Sequence, residues 1–178
     1  AAETPLPLRR NLPSLPFVNR GAFSGDNNSI IVTGANSRLI LEDATNLLVF
    51  RNDGTNSVRI LAGGSIETGA LAVVTGSLSL EIDGTDSTLQ TGRAIMMWAG
   101  NSVTVDIANG GRWNTTNFSD TDGTLTLNLN DGGILQTSAA FDVSNVDTFN
   151  FNSGATLIAN AAVSNLGTIS SGRTVDIS

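Results

Sequence analysis

Residues Asp122 to Thr137 read DGTLTLNLNDGGILQT. Leu127-Asn128-Leu129 alternates apolar and polar residues, the period-two pattern of a strand with one buried and one outward face. Asp131-Gly132-Gly133 then breaks the strand. Glycine reaches positive φ at low cost, and Asp tolerates the left-handed region. Leu135-Gln136-Thr137 follows as a second, shorter strand. A helix is disfavoured here, because the period is two and Gly and β-branched residues are dense.

The unit recurs through the chain. Strands of the first kind are Val58-Arg59-Ile60, Leu80-Glu81-Ile82, Val105-Asp106-Ile107, Leu127-Asn128-Leu129, Phe149-Asn150-Phe151 and Val175-Asp176-Ile177, spaced 22, 25, 22, 22 and 26 residues apart. Gly-bearing turns follow most of them, and then short strands such as Ile66-Glu67-Thr68, Leu89-Gln90-Thr91, Trp113-Asn114-Thr115 and Leu157-Ile158-Ala159. A sandwich of hairpins would turn every 8–12 residues or so and need not repeat one motif in register. A period near 22 points instead to coils stacked about 4.8 Å apart, each strand pairing with its equivalent in the next coil. The chain is therefore expected to be all-β, a right-handed parallel β-helix of about six to seven coils, since parallel crossovers are right-handed in nearly all cases. Ile60, Ile82, Ile107, Leu129, Phe151 and Ile177 would form one interior column. Asn and Thr at outward or turn positions would form side-chain ladders.

Strand patterns at Ser29–Val32, Arg38–Leu41 and Leu47–Phe50 have shorter, irregular spacing and are read as the first coils, one of them shortened. All four prolines (Pro5, Pro7, Pro13, Pro16) precede them. Proline lacks a donor and is excluded from central strands. Residues 1–28 are accordingly expected to be an irregular N-terminal arm or cap, and residues 29–178 the β-helix. Val175-Asp176-Ile177-Ser178 stops inside the strand pattern. That suggests a segment of a longer β-helix, or a last coil that pairs end to end with another subunit.

Composition narrows the chemistry. Cys, His, Tyr and Lys are absent, and all nine cations are Arg. There can be no disulfide framework, thiolate metal site, Ser-His or Cys-His nucleophile, or Schiff-base lysine. A net charge of −7 opposes phosphate backbones and anionic lipid, so nucleic acid is not expected as a partner. No apolar run approaches the roughly 18 residues of a membrane-spanning helix, so no membrane insertion by this segment is expected.

Two regions carry candidate binding residues. Arg112, Asp120 and Asp122 fall within one coil beside Trp113 and Phe118. An Arg with carboxylates and an aromatic suits recognition or cleavage of a polysaccharide, two carboxylates being the pair a glycosidase needs. The alternative there is a plain turn with solvated Asp residues. Arg93 and Met96-Met97-Trp98 occupy the longer 25-residue spacing, where an exposed Trp would form a recognition patch. The alternative is that Trp98 and one Met fill the core. The Asp-rich turns at 83–86 and 120–123 match neither the EF-hand loop nor the nonapeptide calcium repeat, so neither metal nor cofactor is expected. Asn27, Asn114 and Asn117 stand in Asn-x-Ser/Thr sequons, as chance allows in an Asn- and Thr-rich chain.

Over about residues 50–178 the repeat resembles passenger domains of bacterial autotransporters (type V secretion). The resemblance implies a passenger exported across the outer membrane and secreted or displayed at the cell surface as an adhesin or other virulence factor. The protease-type motif Gly-Asp-Ser-Gly-Gly is absent. A non-enzymatic binding protein for a host surface protein or glycan is the expected function. Its alternatives are a polysaccharide lyase or glycosidase of tailspike type, and a structural stalk.

Overall fold

The computed structural model describes residues 21–23, 27–41, 47–93, 95–116 and 122–177. Every strand pairing in it is parallel. The chain is a β-solenoid with three faces per coil, traversed in a fixed order. A short third-face strand comes first, then the long strand, then the short strand after the Gly turn.

The first coil holds β1 (Gly21–Phe23), β2 (Ser29–Thr33) and β3 (Arg38–Ile40). In the second, β4 (Leu47–Leu61) runs through the third face and the long face without a break, and β5 (Ser65–Thr68) follows. The third repeats this with β6 (Ala70–Asp83) and β7 (Thr88–Thr91). The fourth has β8 (Ile95–Met97), β9 (Ser102–Ala108) and β10 (Arg112–Thr115), and the fifth β11 (Thr124–Leu129) and β12 (Ile134–Thr137). The sixth has β13 (Phe141–Asp142), a 3-10 turn at Val143–Asn145, β14 (Thr148–Phe151) and β15 (Thr156–Ala159), and the last β16 (Val163–Ser164) and β17 (Thr174–Ile177). The short strands stack as a seven-stranded sheet, β3-β5-β7-β10-β12-β15-β17. Seven strands at sheet spacing make a rod about 29 Å long.

The packing is the expected one along most of the rod. Ile60, Ile82, Ile107, Leu129 and Phe151 stand in register and are buried. Val58, Leu80, Val105 and Leu127 form a second buried column. The outward positions pair along the axis. Arg59 Nε meets Glu81 Oε2 at 2.5 Å. Asn128 Nδ2 donates to Asp106 Oδ1 at 2.8 Å, and Asn150 Nδ2 to Asn128 Oδ1 at 2.7 Å. Like stacked on like thus satisfies each amide with its neighbour one coil away, so the Asn ladder forms.

The second glycine of each Gly-Gly turn has a different role from the one read in the sequence. Gly110 and Gly132 do take positive φ. Gly111 does not; a Cβ there would lie inside van der Waals contact with the Ile82 carbonyl oxygen of the coil below. Close approach of stacked backbones, not left-handed geometry, requires it.

Three expectations are corrected. Ser29–Val32, Arg38–Leu41 and Leu47–Phe50 do lie in the first coils, but none of those coils is shortened. The first two are the long and short faces of one coil and the third opens the next, and Ile30 pairs with Val58 across a long spacing. Their close spacing is the distance between faces, not between coils. Gly21–Phe23, placed in the irregular arm, pairs in parallel with Leu48–Phe50, so the paired scaffold reaches back to Gly21. The rest of the proposed arm, residues 1–20 and 24–26, lies outside the described residues. Val175–Ile177 does not continue the long-strand column; it pairs with Leu157–Ala159 in the short-strand sheet. Ile177 stands over Ala159 and is 55% exposed, and among the described residues no strand pairs on its other side. The threonines ending the short strands share the inward face of the alternation. Thr68, Thr91, Thr115 and Thr137 are buried in one column. Thr68 and Thr137 each donate to a carbonyl two residues on, which satisfies the hydroxyl as the chain turns the corner.

Candidate functional site

The outward face of the short-strand sheet is set by register. Glu67, Gln90, Asn114, Gln136, Ile158 and Asp176 follow one another up the rod. Three consecutive amides, from β7, β10 and β12, therefore lie side by side between a carboxylate and an isoleucine. Around them is a groove of about 240 Å³ lined by Gln90, Asn114, Thr115, Thr116, Gln136 and Ser138. Ser138 is placed by its backbone N–H, which donates to the Thr115 carbonyl at 3.0 Å, so its hydroxyl lies at the corner beside Thr116. At the start of β10, Arg112 donates through Nη1 to Gln136 Oε1 at 2.8 Å and fixes that amide.

One atom in the groove is unsatisfied: Asn114 Oδ1 is buried and has no hydrogen-bond partner. A buried acceptor left unmade costs about 1–3 kcal/mol, a cost that an incoming N–H or O–H removes. The lining side chains are amides and hydroxyls, each able to donate and accept, and none is titratable. Such a set is the chemical complement of a neutral, hydroxyl-rich surface, and the lining side chains include no group for general acid or base work.

The other sequence candidates are dispersed. Trp113 lies directly beneath the groove and is fully buried, its Nε1 donating to Thr91 Oγ1 at 3.0 Å. It is core, and as a surface contact it is corrected. A residue at an inward strand position is sealed by the coils on either side, whatever its chemistry. In the Met96-Met97-Trp98 run, Met97 is buried and Trp98 is 46% exposed, so only the methionine joins the core. Asn101 closes that corner: its Nδ2 donates to the Val74 carbonyl at 2.9 Å and its backbone N–H to the Trp98 carbonyl at 3.2 Å. Asp122 is exposed at the same corner one coil on, where Thr124 N–H donates to the Asn101 carbonyl at 2.9 Å. Arg93 is exposed at the opposite end of the third-face strand, its backbone N–H held by the Gly69 carbonyl at 2.9 Å. Arg112, Arg93 and the Trp98–Asp122 pair thus occupy three separate corners. Asp120 and Phe118 lie outside the described residues. Among the described residues no group of three or more acidic side chains could hold a metal ion.

Gln90, Gln136 and Ser138 were not singled out from the sequence, and Asn114 only as a sequon. The signal was present in the middle position of Leu-Gln-Thr, Trp-Asn-Thr and Leu-Gln-Thr, three amides one coil apart.

No family model, curated protein or solved structure matches the chain.

Proposed function

We propose that the chain is a non-enzymatic binding protein whose short-strand face takes a neutral glycan, on a β-solenoid secreted or displayed at a bacterial surface like the autotransporter passengers its repeat resembles. The observation that carries this reading is the buried, unpartnered Asn114 Oδ1 in a groove of amides and hydroxyls. Sugar hydroxyls are the complement of that lining, because each can donate to Asn114 while accepting from the amide groups of Gln90 or Gln136. Arg112 belongs to the site as the group that orients Gln136, not as a charge for the ligand.

Binding to a panel of neutral and acidic oligosaccharides tests it. Asn114→Ala should weaken the best neutral ligand about tenfold, the worth of one well-buried hydrogen bond, and Ser138→Ala, at an exposed position, should weaken it less. Arg93→Ala and Trp98→Ala, at other corners, should leave it unchanged. Loss of binding confined to the Trp98 variant would move the site to that corner and refute the groove. The same polymers, assayed for new reducing ends and unsaturated products, separate binding from turnover, the rival reading.

A further inference from the structure

In every coil before the sixth the long strand is covered by the next one. The amide of an outward residue donates to the carbonyl of the inward residue below it: Asn130 N to Ile107 O and Asn152 N to Leu129 O, both at 2.9 Å. The next acceptor in that series is the Phe151 carbonyl. Its donor is the Arg173 guanidinium, through Nε, instead of a backbone amide. The long-strand sheet ends at β14, although the chain continues and rejoins the scaffold on both other faces, through β16 on β13 and β17 on β15. The coil is short: Leu157 pairs with Val175, where the preceding short strands lie 22 residues apart. Residues 166–173 cross the gap without entering the sheet. They leave a groove of about 310 Å³ with Phe149 and Phe151 on one wall and Leu166 and Ile169 on the other. Ile169 is half exposed, and the Arg173 guanidinium lies over the Phe151 ring at 5.8 Å.

We infer that this gap is a strand-addition site for an extended polypeptide segment with apolar-Asn-apolar alternation. The backbone edge of β14 supplies the pairing, as in other cases of strand addition to a sheet edge. The register then dictates the side chains. Residues over Phe149 and Phe151 enter the apolar groove. The residue between them meets Asn150, the open end of the Asp106–Asn128–Asn150 ladder, and an Asn there continues it. The occupant is thus a strand of the same pattern as Leu127-Asn128-Leu129, supplied from outside the coil. Its last amide displaces Arg173 from the Phe151 carbonyl. The site is remote from the Asn114 groove and does not depend on it.

A fluorescently labelled, acetylated peptide with the sequence of residues 124–130 tests the inference by polarisation against the whole chain. It should bind saturably. N-methylation of the peptide amide corresponding to Asn128, which removes the donor to the Phe149 carbonyl, should weaken it about tenfold or more, with the protein untouched. Ile169→Asp, at a half-exposed position, should weaken it comparably. No binding up to about 1 mM overturns the inference. So does binding indifferent to N-methylation, which would be apolar adhesion without strand pairing. Binding sensitive to N-methylation but indifferent to Ile169→Asp places the added strand at another edge and overturns this site.

Discussion

Replacing Asn114 by threonine should stabilise the protein while it weakens the glycan site. The amide oxygen is buried without a partner, which costs about 1–3 kcal/mol in the empty protein. Threonine removes that oxygen and is better suited to a strand, by some tenths of a kcal/mol. Against this stands the lost packing of the amide between Gln90 and Gln136, part of which the threonine methyl replaces. The net is about 1–2 kcal/mol in favour of the variant, or about 2–8 °C in Tm for a chain of this size. A parallel pair of experiments decides it: the midpoint of urea unfolding with and without the substitution, and the titration of the best neutral oligosaccharide against both proteins. The expected pair of results is a higher midpoint and about tenfold weaker binding. A lower midpoint would mean that Asn114 is satisfied and structural, and the groove would lose the observation that supports it.

Trp113→Leu should destabilise by about 3 kcal/mol, because it opens a cavity beside Leu89 and Leu135 and leaves the Thr91 hydroxyl without its indole donor; a surface-contact role would give an unchanged unfolding midpoint. Gly111→Ala should cost about 1–3 kcal/mol through its clash with the Ile82 carbonyl, whereas the same change at exposed Gly100, which has open space around it, carries only the strain of its positive φ. Asp142 is held below the ordinary carboxylate value by the Asn165 side chain and then by the Ser144 backbone and hydroxyl. Its contribution is full above the unfolded value of about 3.8 and is lost as pH falls through the lower folded value. Asp142→Asn should therefore flatten the acid limb of a stability–pH curve; an unchanged limb would mean that the carboxylate is not so held in solution.

The repeat determined a great deal. Alternation fixed which residues of Val58–Ile60 or Leu127–Leu129 face inward, because side-chain direction along a strand is a local property. Equal spacing fixed the stacking of Ile60 on Ile82 and of Asn128 on Asp106, because parallel coils of one length must place like on like. Gly-Gly marked the turns. The third face was harder to read: Ala70-Leu71-Ala72-Val73 is buried throughout and shows no alternation.

Tertiary structure decided what register alone can decide. The pattern Val175-Asp176-Ile177 fits either the long or the short strand; pairing with Leu157–Ala159 assigns it to the short one and opens the gap over Phe149 and Phe151. Trp113 and Trp98 are equally large and apolar in sequence, yet one is sealed between coils and the other stands out at a corner. The amides of Gln90, Asn114 and Gln136 are more than twenty residues apart in the chain and adjacent on the sheet. Sequence sets the face each side chain points to; only the stacking of coils determines its neighbours, and a binding groove is made of neighbours.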